Sequence, residues 1–484
     1  MTYERVLEMY ERMHEELTRE SYLLGAGLKD KPEYDRILER YSALSDLRTA
    51  TDLIKEKLNL HEDAPDEVRE AYDRVIFTVL ELYLSRRTVS LSQRMQAYEM
   101  SAKVRVDGEE IPYRMLPLML QRERDRERRR RMYEATAPII AELTRMKLEV
   151  YRLSLQHVRK DFGYPNLYEY HAARKMENLR RYASHMGDFL RETEKEYREL
   201  ASHFFGRILG LGWGEVEAYD APYLLSGFAY DVSLKGSDVD ILKETLRRGG
   251  VSLDSLENLK IDDEVRPKKS PRAFCAPIRI PDEVIVVVKP SGAFSDVSTL
   301  FHEMGHGLHF AFTDRSLSVV DRYMGRVGTS EIFSFNLQYI TDSPLWLEAF
   351  AEGWDEDFVA FRRFVYMYYR RRYAAKVLYE TDLLARDDWE DVGPKMYERL
   401  LSEATGIHHH PSRYFVDMDW GFYSVDYSQA WEVEAALRKF LSEEFGRDWF
   451  FKAEAYDYLR GLWSLGVKYP PLKLAAKLWG DRRP

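Results

Sequence analysis

Apolar residues recur at three- and four-residue spacing through the first 205 residues, which is the spacing of amphipathic α-helices. Stretches such as YDRILERYSALSDL and PIIAELTRMKLEVYRL show this pattern, and short polar segments such as DFGYPN separate them. Almost no strand pattern is visible in this part of the chain. We therefore predict a helical N-terminal lobe over residues 1–205.

The pattern changes between residues 206 and 292, where glycine and proline become frequent. The segment PRAFCAPIRIPDEVIVVVKP (271–290) contains β-branched runs bounded by prolines. Because proline is tolerated at sheet edges, EVIVVV is predicted to lie inside a small antiparallel sheet and RAFCAPIRI near its edge. The helical pattern then returns, so residues 206–484 are predicted to form a second lobe that contains this sheet.

Composition and charge narrow the class of protein. Among 484 residues 45% are apolar, and the formal net charge of −10 argues against nucleic acid as a partner. Cys275 is the single cysteine, which rules out an intrachain disulfide and fits a reducing, cytoplasmic compartment. No apolar run approaches the length of a membrane span, and the first residues lack the apolar core of a signal peptide. We expect a cytoplasmic protein without a membrane partner.

The segment DVSTLFHEMGHGLHF (296–310) carries the most informative motif. On a helix, His302 and His306 project from the same face one turn apart, and two imidazoles at this spacing can reach one Zn²⁺. Glu303 lies beside them, in position to hold a water molecule and accept its proton. A carboxylate in such an apolar segment also needs compensation by an opposite charge. The motif predicts a metal site rather than two isolated core histidines.

A catalytic zinc ion usually has three protein ligands and one open position. Glu331 follows His306 by 25 residues and comes after the glycine-punctuated stretch GRVGTS. We predict that Thr329 or Ser330 caps a neighbouring helix that Glu331 opens, so that its carboxylate reaches the metal. The alternative is an ordinary first-turn glutamate, favoured by the helix dipole.

Together these motifs resemble the thimet oligopeptidase and oligoendopeptidase F family of zinc metallopeptidases, which are gluzincins. That family has His-Glu-x-Gly-His and then a ligand glutamate at the spacing that separates HEMGH from Glu331. The stretch GFYSVDY (421–427) resembles its tyrosine-rich segment Phe-Tyr-x-x-x-Tyr. The resemblance covers roughly residues 265–340 and 405–435, and the N-terminal half agrees only in general character.

The resemblance implies a mainly α, two-lobed fold with a deep channel, in which the N-terminal lobe roofs the channel and limits entry to short peptides. It implies one zinc ion, and its ligands would be His302, His306 and Glu331. Glu303 would be the general base and later the proton shuttle. Tyr427 best matches the family's tyrosine that stabilises the oxyanion, with Tyr423 as a second candidate.

Substrate binding is predicted at the edge strand. A peptide lying antiparallel to RAFCAP would pair through main-chain hydrogen bonds, which makes Ala273, Phe274 and Cys275 candidate substrate-binding residues. For Cys275 two further interpretations stay open: a buried small apolar side chain, or a redox-sensitive thiol beside the site.

At two places the chain departs from the family pattern. Where the family has a histidine before its last tyrosine, this chain has Val416 and Asp417, and His410 of the triplet HHH is a candidate to supply the missing imidazole. The family tends to keep a second glutamate seven positions after the ligand glutamate, where Gln338 stands here. A neutral amide behind the ligands is expected to weaken zinc binding or to shift the pH optimum.

We therefore expect a zinc-dependent oligopeptidase that hydrolyses internal bonds of short peptides; the oligomeric state stays open. One alternative is a related metallocarboxypeptidase, although the signature His-Glu-Ser-Gln of some such enzymes is absent. It would need a cationic anchor for the free carboxylate, and the candidates are Lys268, Lys269, Arg272 and Arg413. A second alternative is an inactive peptide-binding protein of the same fold, against which the intact Glu303 argues.

Overall fold

Helices dominate residues 1–289 and 294–480, the part of the chain that this computed structural model describes, and the prediction of a mainly α fold is confirmed. The α-helices are α1 (Tyr3–Gly25), α2 (Tyr34–Arg40), α3 (Leu47–Leu58), α4 (Asp66–Ser101), α5 (Leu116–Arg122), α6 (Arg126–Glu134), α7 (Ala137–Phe162), α8 (Leu167–Lys175), α9 (Leu179–Glu192), α10 (Glu194–Phe204), α11 (Ala221–Leu225), α12 (Asp238–Arg248), α13 (Phe294–Ala311), α14 (Val319–Tyr323), α15 (Val327–Gln338), α16 (Pro344–Phe350), α17 (Glu356–Leu384), α18 (Trp389–Thr405), α19 (Tyr423–Phe445), α20 (Ala453–Trp463) and α21 (Pro471–Trp479). The strands are β1 (Lys103–Val106), β2 (Glu109–Pro112), β3 (Val216–Glu217), β4 (Ser233–Leu234), β5 (Leu259–Asp262), β6 (Phe274–Arg279), β7 (Glu283–Val287), β8 (Ala351–Glu352) and β9 (Ile407–His408). Within the described ranges, every helix is too short or too polar to cross a lipid bilayer.

The chain divides into two compact units, and both are discontinuous in sequence. The first unit comprises Met1–Tyr83, Val232–Gly353 and Gln429–Pro484, and the second comprises Leu84–Asp231 and Trp354–Ser428. The expected boundary between residues 205 and 206 does not coincide with this division. The roofing role of the N-terminal lobe and the channel stay predictions.

Long-range contacts explain why the first 83 residues belong with the metal-binding motif. In α1, Arg19 forms an ion pair with Glu283 at 2.8 Å, and His14 Nε2 lies 3.1 Å from the carbonyl oxygen of Pro277. Both partners belong to the β6–β7 hairpin, which lies more than 250 residues further along the chain. Such contacts are invisible to a reading of local periodicity, which gathers consecutive helices into one lobe.

A three-stranded sheet in the first unit has the order β5–β7–β6. The predicted central position of EVIVVV and the edge position of the FCAPIR strand are both confirmed. The sheet is mixed rather than antiparallel, because β5, which the sequence analysis missed, pairs with β7 in parallel. A four-residue strand carries too little alternation to be recognised, and its parallel partner is distant in sequence.

The N-terminal half also contains a hairpin that the sequence analysis missed. Strands β1 and β2 pair antiparallel through a two-residue turn, Asp107-Gly108, in which both residues have positive φ, 51° and 88°. Asp-Gly is a strong signal for this kind of turn, because both central positions need the left-handed region. The signal was therefore present in the sequence.

Helices cover both faces of the three-stranded sheet. Side chains alternate along a strand, so Ile285 and Val287 point to one face, where they pack with Ala26 at the end of α1. Val286 points to the opposite face, towards Gly307 of α13. Helix α13, which carries the HEMGH motif, therefore packs on this face of the sheet.

Helix α13 packs against α15 at unusually close range. A Cβ atom at Gly305 would lie 2.4 Å from both the carbonyl oxygen of Phe333 and the Cα of Ser334. These are backbone atoms of α15 that cannot move aside without shifting the helix. Glycine at position 305 is therefore required if α15 is to bring Glu331 to the histidines of α13.

We predict that Gly305→Ala lowers the free energy of unfolding by about 1–3 kcal/mol, since the added methyl group forces the two backbones apart. Chemical denaturation measures the change. The matched control is Gly461→Ala, in helix α20 of the same unit, where a Cβ has no heavy atom within 4 Å. Because alanine favours helices, this control should be neutral or stabilising by up to about 1 kcal/mol. Equal stability of Gly305→Ala and the wild-type protein would contradict the close-packing account.

Candidate active site

Three side chains from α13 and α15 converge as a candidate metal centre. The Nε2 atoms of His302 and His306 lie 3.4 and 3.5 Å from the same Oε2 atom of Glu331. One ligand atom from each residue lies within 4.8 Å of the other two, and no other such group of three occurs in the described residues. The predicted ligands are thus brought together.

Each candidate ligand also has a hydrogen-bonding partner next to it. His302 Nδ1 lies 2.9 Å from Gln338 Oε1, and His306 Nδ1 lies 2.7 Å from Ser330 Oγ. The Ser334 hydroxyl donates to Glu331 Oε2 at 2.9 Å. These contacts orient the rings with Nε2 facing the centre. Gln338 therefore occupies the place behind His302 that the sequence comparison assigned to a carboxylate.

The predicted cap of the second helix is wrong by one turn. Helix α15 begins at Val327 with Arg326 at its N-cap, so Thr329 and Ser330 lie inside the helix. The reason is that Gly328 is accommodated in the first turn rather than ending the preceding loop. Because the helix begins earlier, Ser330 Oγ lies within hydrogen-bonding distance of His306 Nδ1, and Glu331 lies one turn inside the N-terminus of α15.

Burial and charge set the protonation of the three residues. Burial lowers the pKa of His302. Burial would also lower the pKa of His306, but the charge and hydrogen bond of Glu331, with the charge of Glu303, together raise it. Burial alone would raise the pKa of Glu331, but His306 and His302 lower it to about 2. Glu331 is therefore an anion at neutral pH, as a metal ligand must be.

Glu303 is half-buried on α13, next to the edge strand. Cys275 pairs with Val286 in the sheet, so its side chain points to the face that α13 covers. Burial raises the pKa of the Cys275 thiol well above its usual range, and the charge of Glu303 adds to this. The thiol is thus protonated, which disfavours a reactive thiolate.

Main-chain groups of the edge strand alternate in direction. The carbonyl oxygen of Pro277 faces outward, where it contacts His14. Residues two apart in a strand share their direction, so the main-chain groups of Cys275 and, by extension of the strand, Ala273 face the same outer side. Phe274 has the opposite direction: it pairs with Val287, and its ring lies against Gly25 of α1. Substrate binding by Ala273, Phe274 and Cys275 stays a prediction.

Tyr423 and Tyr427 belong to the second unit, so their approach to the metal centre stays a prediction. Their rings lie 4.5 Å apart between centroids, and Tyr427 also stacks on Tyr373 at 5.2 Å. Helix α19 begins at Tyr423, directly after Gly421 and Phe422, which both have positive φ. This turn fixes the direction in which the tyrosine-bearing helix begins.

A buried ion network holds the segment before these tyrosines. Burial alone would raise the pKa of Asp417, but Arg372 and Lys376 lower it well below its usual range. Lys376 Nζ also lies 2.7 Å from Asp419 Oδ2, and the Asp419 amide donates to Glu380 at 3.0 Å. Where the family has a histidine, this chain therefore has an anchoring carboxylate.

The three histidines of the triplet have different environments. His410 is exposed, and its Nδ1 lies 2.8 Å from the Ser412 hydroxyl, so its predicted role in substrate binding stays a prediction. His409 is buried, and burial lowers its pKa to about 3. His408 bridges two carboxylates, with Nδ1 2.8 Å from Glu217 and Nε2 2.9 Å from Glu398. His408 therefore has a structural role.

The cationic anchors that a carboxypeptidase would need are partly engaged elsewhere. Lys269 is buried and donates to Asp262 Oδ1 at 2.9 Å. Lys268 forms an exposed ion pair with Asp30, and Arg413 donates to Thr136. Arg272 is exposed beside the edge strand.

Three residues that contribute to the site were not recognised as such from the sequence. Gly305 sets the distance between the helices, and Ser330 was interpreted as a cap. His309 follows His306 by three residues and so lies on nearly the same helix face, where its Nδ1 is 3.0 Å from Ser330 Oγ. Its spacing was a visible signal, although a third histidine has no fixed partner in a motif.

Comparisons with known proteins agree with this site. Residues 242–358, which include α13 and α15, match the sequence profile of peptidase family M3. Three solved structures share the fold. A protein from Chlamydophila abortus described as a peptidase has 15% identity and a TM-score of 0.65, over 98% of this chain and 85% of that one. A protein from Bacillus anthracis strain Ames described as an oligoendopeptidase F has 16% identity and a TM-score of 0.58, over 96% of this chain and 78% of that one. Another structure described as oligoendopeptidase F has 16% identity and a TM-score of 0.64, over 98% and 87%.

Comparison with curated protein sequences found no significant match. The profile match over residues 242–358 and the shared fold confirm the resemblance inferred from the motifs. The profile match therefore indicates a peptidase.

We predict that the stabilisation by His408 depends on pH. The hydrogen bond to Glu398, with that to Glu217, raises the pKa of His408 above its value in the unfolded chain. Its contribution is therefore fully present below about pH 6.5 and lost as the pH rises through the raised folded-state pKa. The melting temperature of His408→Gln should fall further below that of the wild-type protein at pH 6 than at pH 9.

The control for this prediction is His61→Gln, which removes an exposed imidazole in the first unit. An equal deficit of His408→Gln at both pH values would show that the imidazole packs without an electrostatic role.

Proposed function

We propose that this protein is a zinc-dependent oligopeptidase that hydrolyses internal bonds of short peptides. The observation that carries the proposal is the convergence of His302, His306 and Glu331 on one point, next to Glu303 and an edge strand. Family M3, whose members are generally metallopeptidases, supports the same chemistry.

The donor set fits zinc. Two bonds of about 2.1 Å at the tetrahedral angle separate the ligand atoms by about 3.4 Å, close to the 3.4 and 3.5 Å between the imidazole Nε2 atoms and Glu331 Oε2. Two imidazoles and one carboxylate form a typical catalytic set that leaves a position open. When bound, zinc polarises the scissile carbonyl and lowers the pKa of a water molecule.

Two side chains of this protein would move or stabilise charge during hydrolysis. Glu303 accepts the proton of the attacking water and passes it to the nitrogen of the leaving amine, so the carboxylate is regenerated. The hydroxyl of Tyr427, or of Tyr423, donates a hydrogen bond to the oxyanion as the carbonyl carbon becomes tetrahedral. A phenol suits this task because it stays protonated at neutral pH.

The edge strand β6 is proposed to bind the peptide. The outward main-chain groups of Ala273 and Cys275 would pair with an extended backbone, as in β-strand addition. This mode recognises the main chain and tolerates many side chains, which suits an enzyme for assorted short peptides. His410 is retained as a further candidate contact.

We predict that Glu303→Gln lowers kcat by about a hundredfold or more, because the amide cannot accept the proton, while the bound zinc stays equimolar. Mass spectrometry of a defined mixture of peptides, five to about thirty residues long, measures the cuts with and without a chelator. The exposed Glu443→Gln is the matched control.

Chelator-sensitive internal cuts that fade with peptide length support the oligopeptidase.

The same assay separates the alternatives. Loss of single C-terminal residues would instead support a metallocarboxypeptidase. Intact peptides with the zinc-loaded protein would contradict catalysis and leave a peptide-binding protein.

We further predict that Tyr427→Phe lowers kcat by about a hundredfold with little change in KM, since the hydroxyl acts on the transition state rather than the bound substrate. Steady-state kinetics on the best peptide of the mixture measures both constants. Tyr369→Phe, at a partly exposed position of the same unit, is the control. A wild-type kcat in Tyr427→Phe together with a loss in Tyr423→Phe would transfer the role to Tyr423.

A further inference from the structure

A chain of hydrogen bonds leads from a backbone carbonyl to one of the metal-binding histidines. The Gly466 carbonyl oxygen lies 3.0 Å from His309 Nε2, and His309 Nδ1 lies 3.0 Å from Ser330 Oγ. Ser330 Oγ in turn lies 2.7 Å from His306 Nδ1. His309 is fully buried and Ser330 is 4% exposed. We call these four residues the relay.

The chemistry of its members gives the relay one direction. A carbonyl oxygen can only accept, so Nε2 of His309 carries the hydrogen. His309 is buried and packs against the rings of Phe310 and Phe333, and such burial favours the neutral imidazole, in which Nδ1 is then an acceptor. The Ser330 hydroxyl must therefore donate its single hydrogen to His309.

This direction of hydrogen bonding determines which nitrogen of His306 carries a hydrogen. Having donated to His309, Ser330 Oγ can only accept from the next partner, so Nδ1 of His306 carries a hydrogen. When the ring is neutral, Nε2 then has a bare lone pair, which faces Glu331 Oε2. Two acceptors that face each other at 3.5 Å are the arrangement that a cation stabilises.

We propose that Ser330 and His309 are positioning residues that impose on His306 the tautomer needed to bind the metal through Nε2. The proposal deepens the zinc site and rests on the proposed function, because it takes His306 to be a ligand. His302 is set by a different device, the amide oxygen of Gln338 at 2.9 Å. The Gln338 amide could turn either its acceptor oxygen or its donor nitrogen to the ring. The relay, in contrast, ends at a carbonyl oxygen that can only accept a hydrogen bond.

Removing the hydroxyl breaks the relay. In Ser330→Ala, the Nδ1–H of His306 loses its buried acceptor, and the ring no longer favours one tautomer. We expect zinc to bind about 10–100-fold more weakly, the usual effect of losing a partner behind a ligand. Ser330→Thr keeps the hydroxyl and should restore most of the affinity. Ser298→Ala, a buried serine of α13 bonded to Thr341, is the matched control.

The decisive readout is the tautomer itself, which does not depend on activity. Histidine-selective ¹⁵N labelling and a long-range ¹H–¹⁵N correlation spectrum of the metal-free protein at pH 9 distinguish Nδ1–H from Nε2–H. We expect His306 as the Nδ1–H form and His309 as the Nε2–H form in the wild-type protein. Signals are assigned from single His→Gln variants.

Three outcomes are informative. An Nε2–H form of His306 in the wild-type protein would overturn the proposal, as would unchanged zinc affinity and tautomer in Ser330→Ala. If Ser330→Ala does not fold, the wild-type spectrum still decides. If the expected tautomers are found in a protein that cleaves no peptide, the proposed function fails and the relay stands.

Discussion

The close approach of α13 and α15 at Gly305 is the constraint on which the candidate site depends. It brings Glu331 within 3.5 Å of both histidines and Ser330 within hydrogen-bonding distance of His306. A wider separation would break the ligand set and the contacts behind it together. The sheet maintains this geometry from the other side, where Val286 packs against α13 at Gly307.

Burying the charged residues of the candidate metal centre costs free energy, and the groups around them offset this cost. A buried carboxylate beside two imidazoles is stable only when its charge is shared, and the low pKa of Glu331 reflects this. The hydroxyl of Ser334 satisfies part of the carboxylate, and Gln338 and Ser330 satisfy the outer nitrogens of the rings. The site is therefore preorganised for a cation by neutral partners, with Glu331 as the charged member of the ligand set.

The sequence predicts which residues of α13 lie side by side better than it predicts the packing around them, and the reason is distance along the chain. His302, Glu303 and His306 share one helix, so their spacing alone determines their arrangement. Glu331 was assigned from spacing and family resemblance, and the close approach of α15 to Gly305 explains how its carboxylate comes to lie beside the histidines. The parallel pairing of β5 and the packing of α1 on the β6–β7 hairpin depend on long-range contacts that no local pattern contains. The departures from the family motif were visible in the sequence, but their meaning was not: Asp417 proved to be part of a buried ion network.

The most direct test of the central claim is X-ray absorption at the zinc edge of the protein loaded with one equivalent of zinc. The account predicts two imidazole nitrogens at about 2.0–2.1 Å and carboxylate oxygen at about 2.0–2.2 Å, without sulfur. A sulfur shell at about 2.3 Å, which would indicate Cys275, or a shell of oxygen atoms without imidazole scattering, would contradict the assignment of His302, His306 and Glu331.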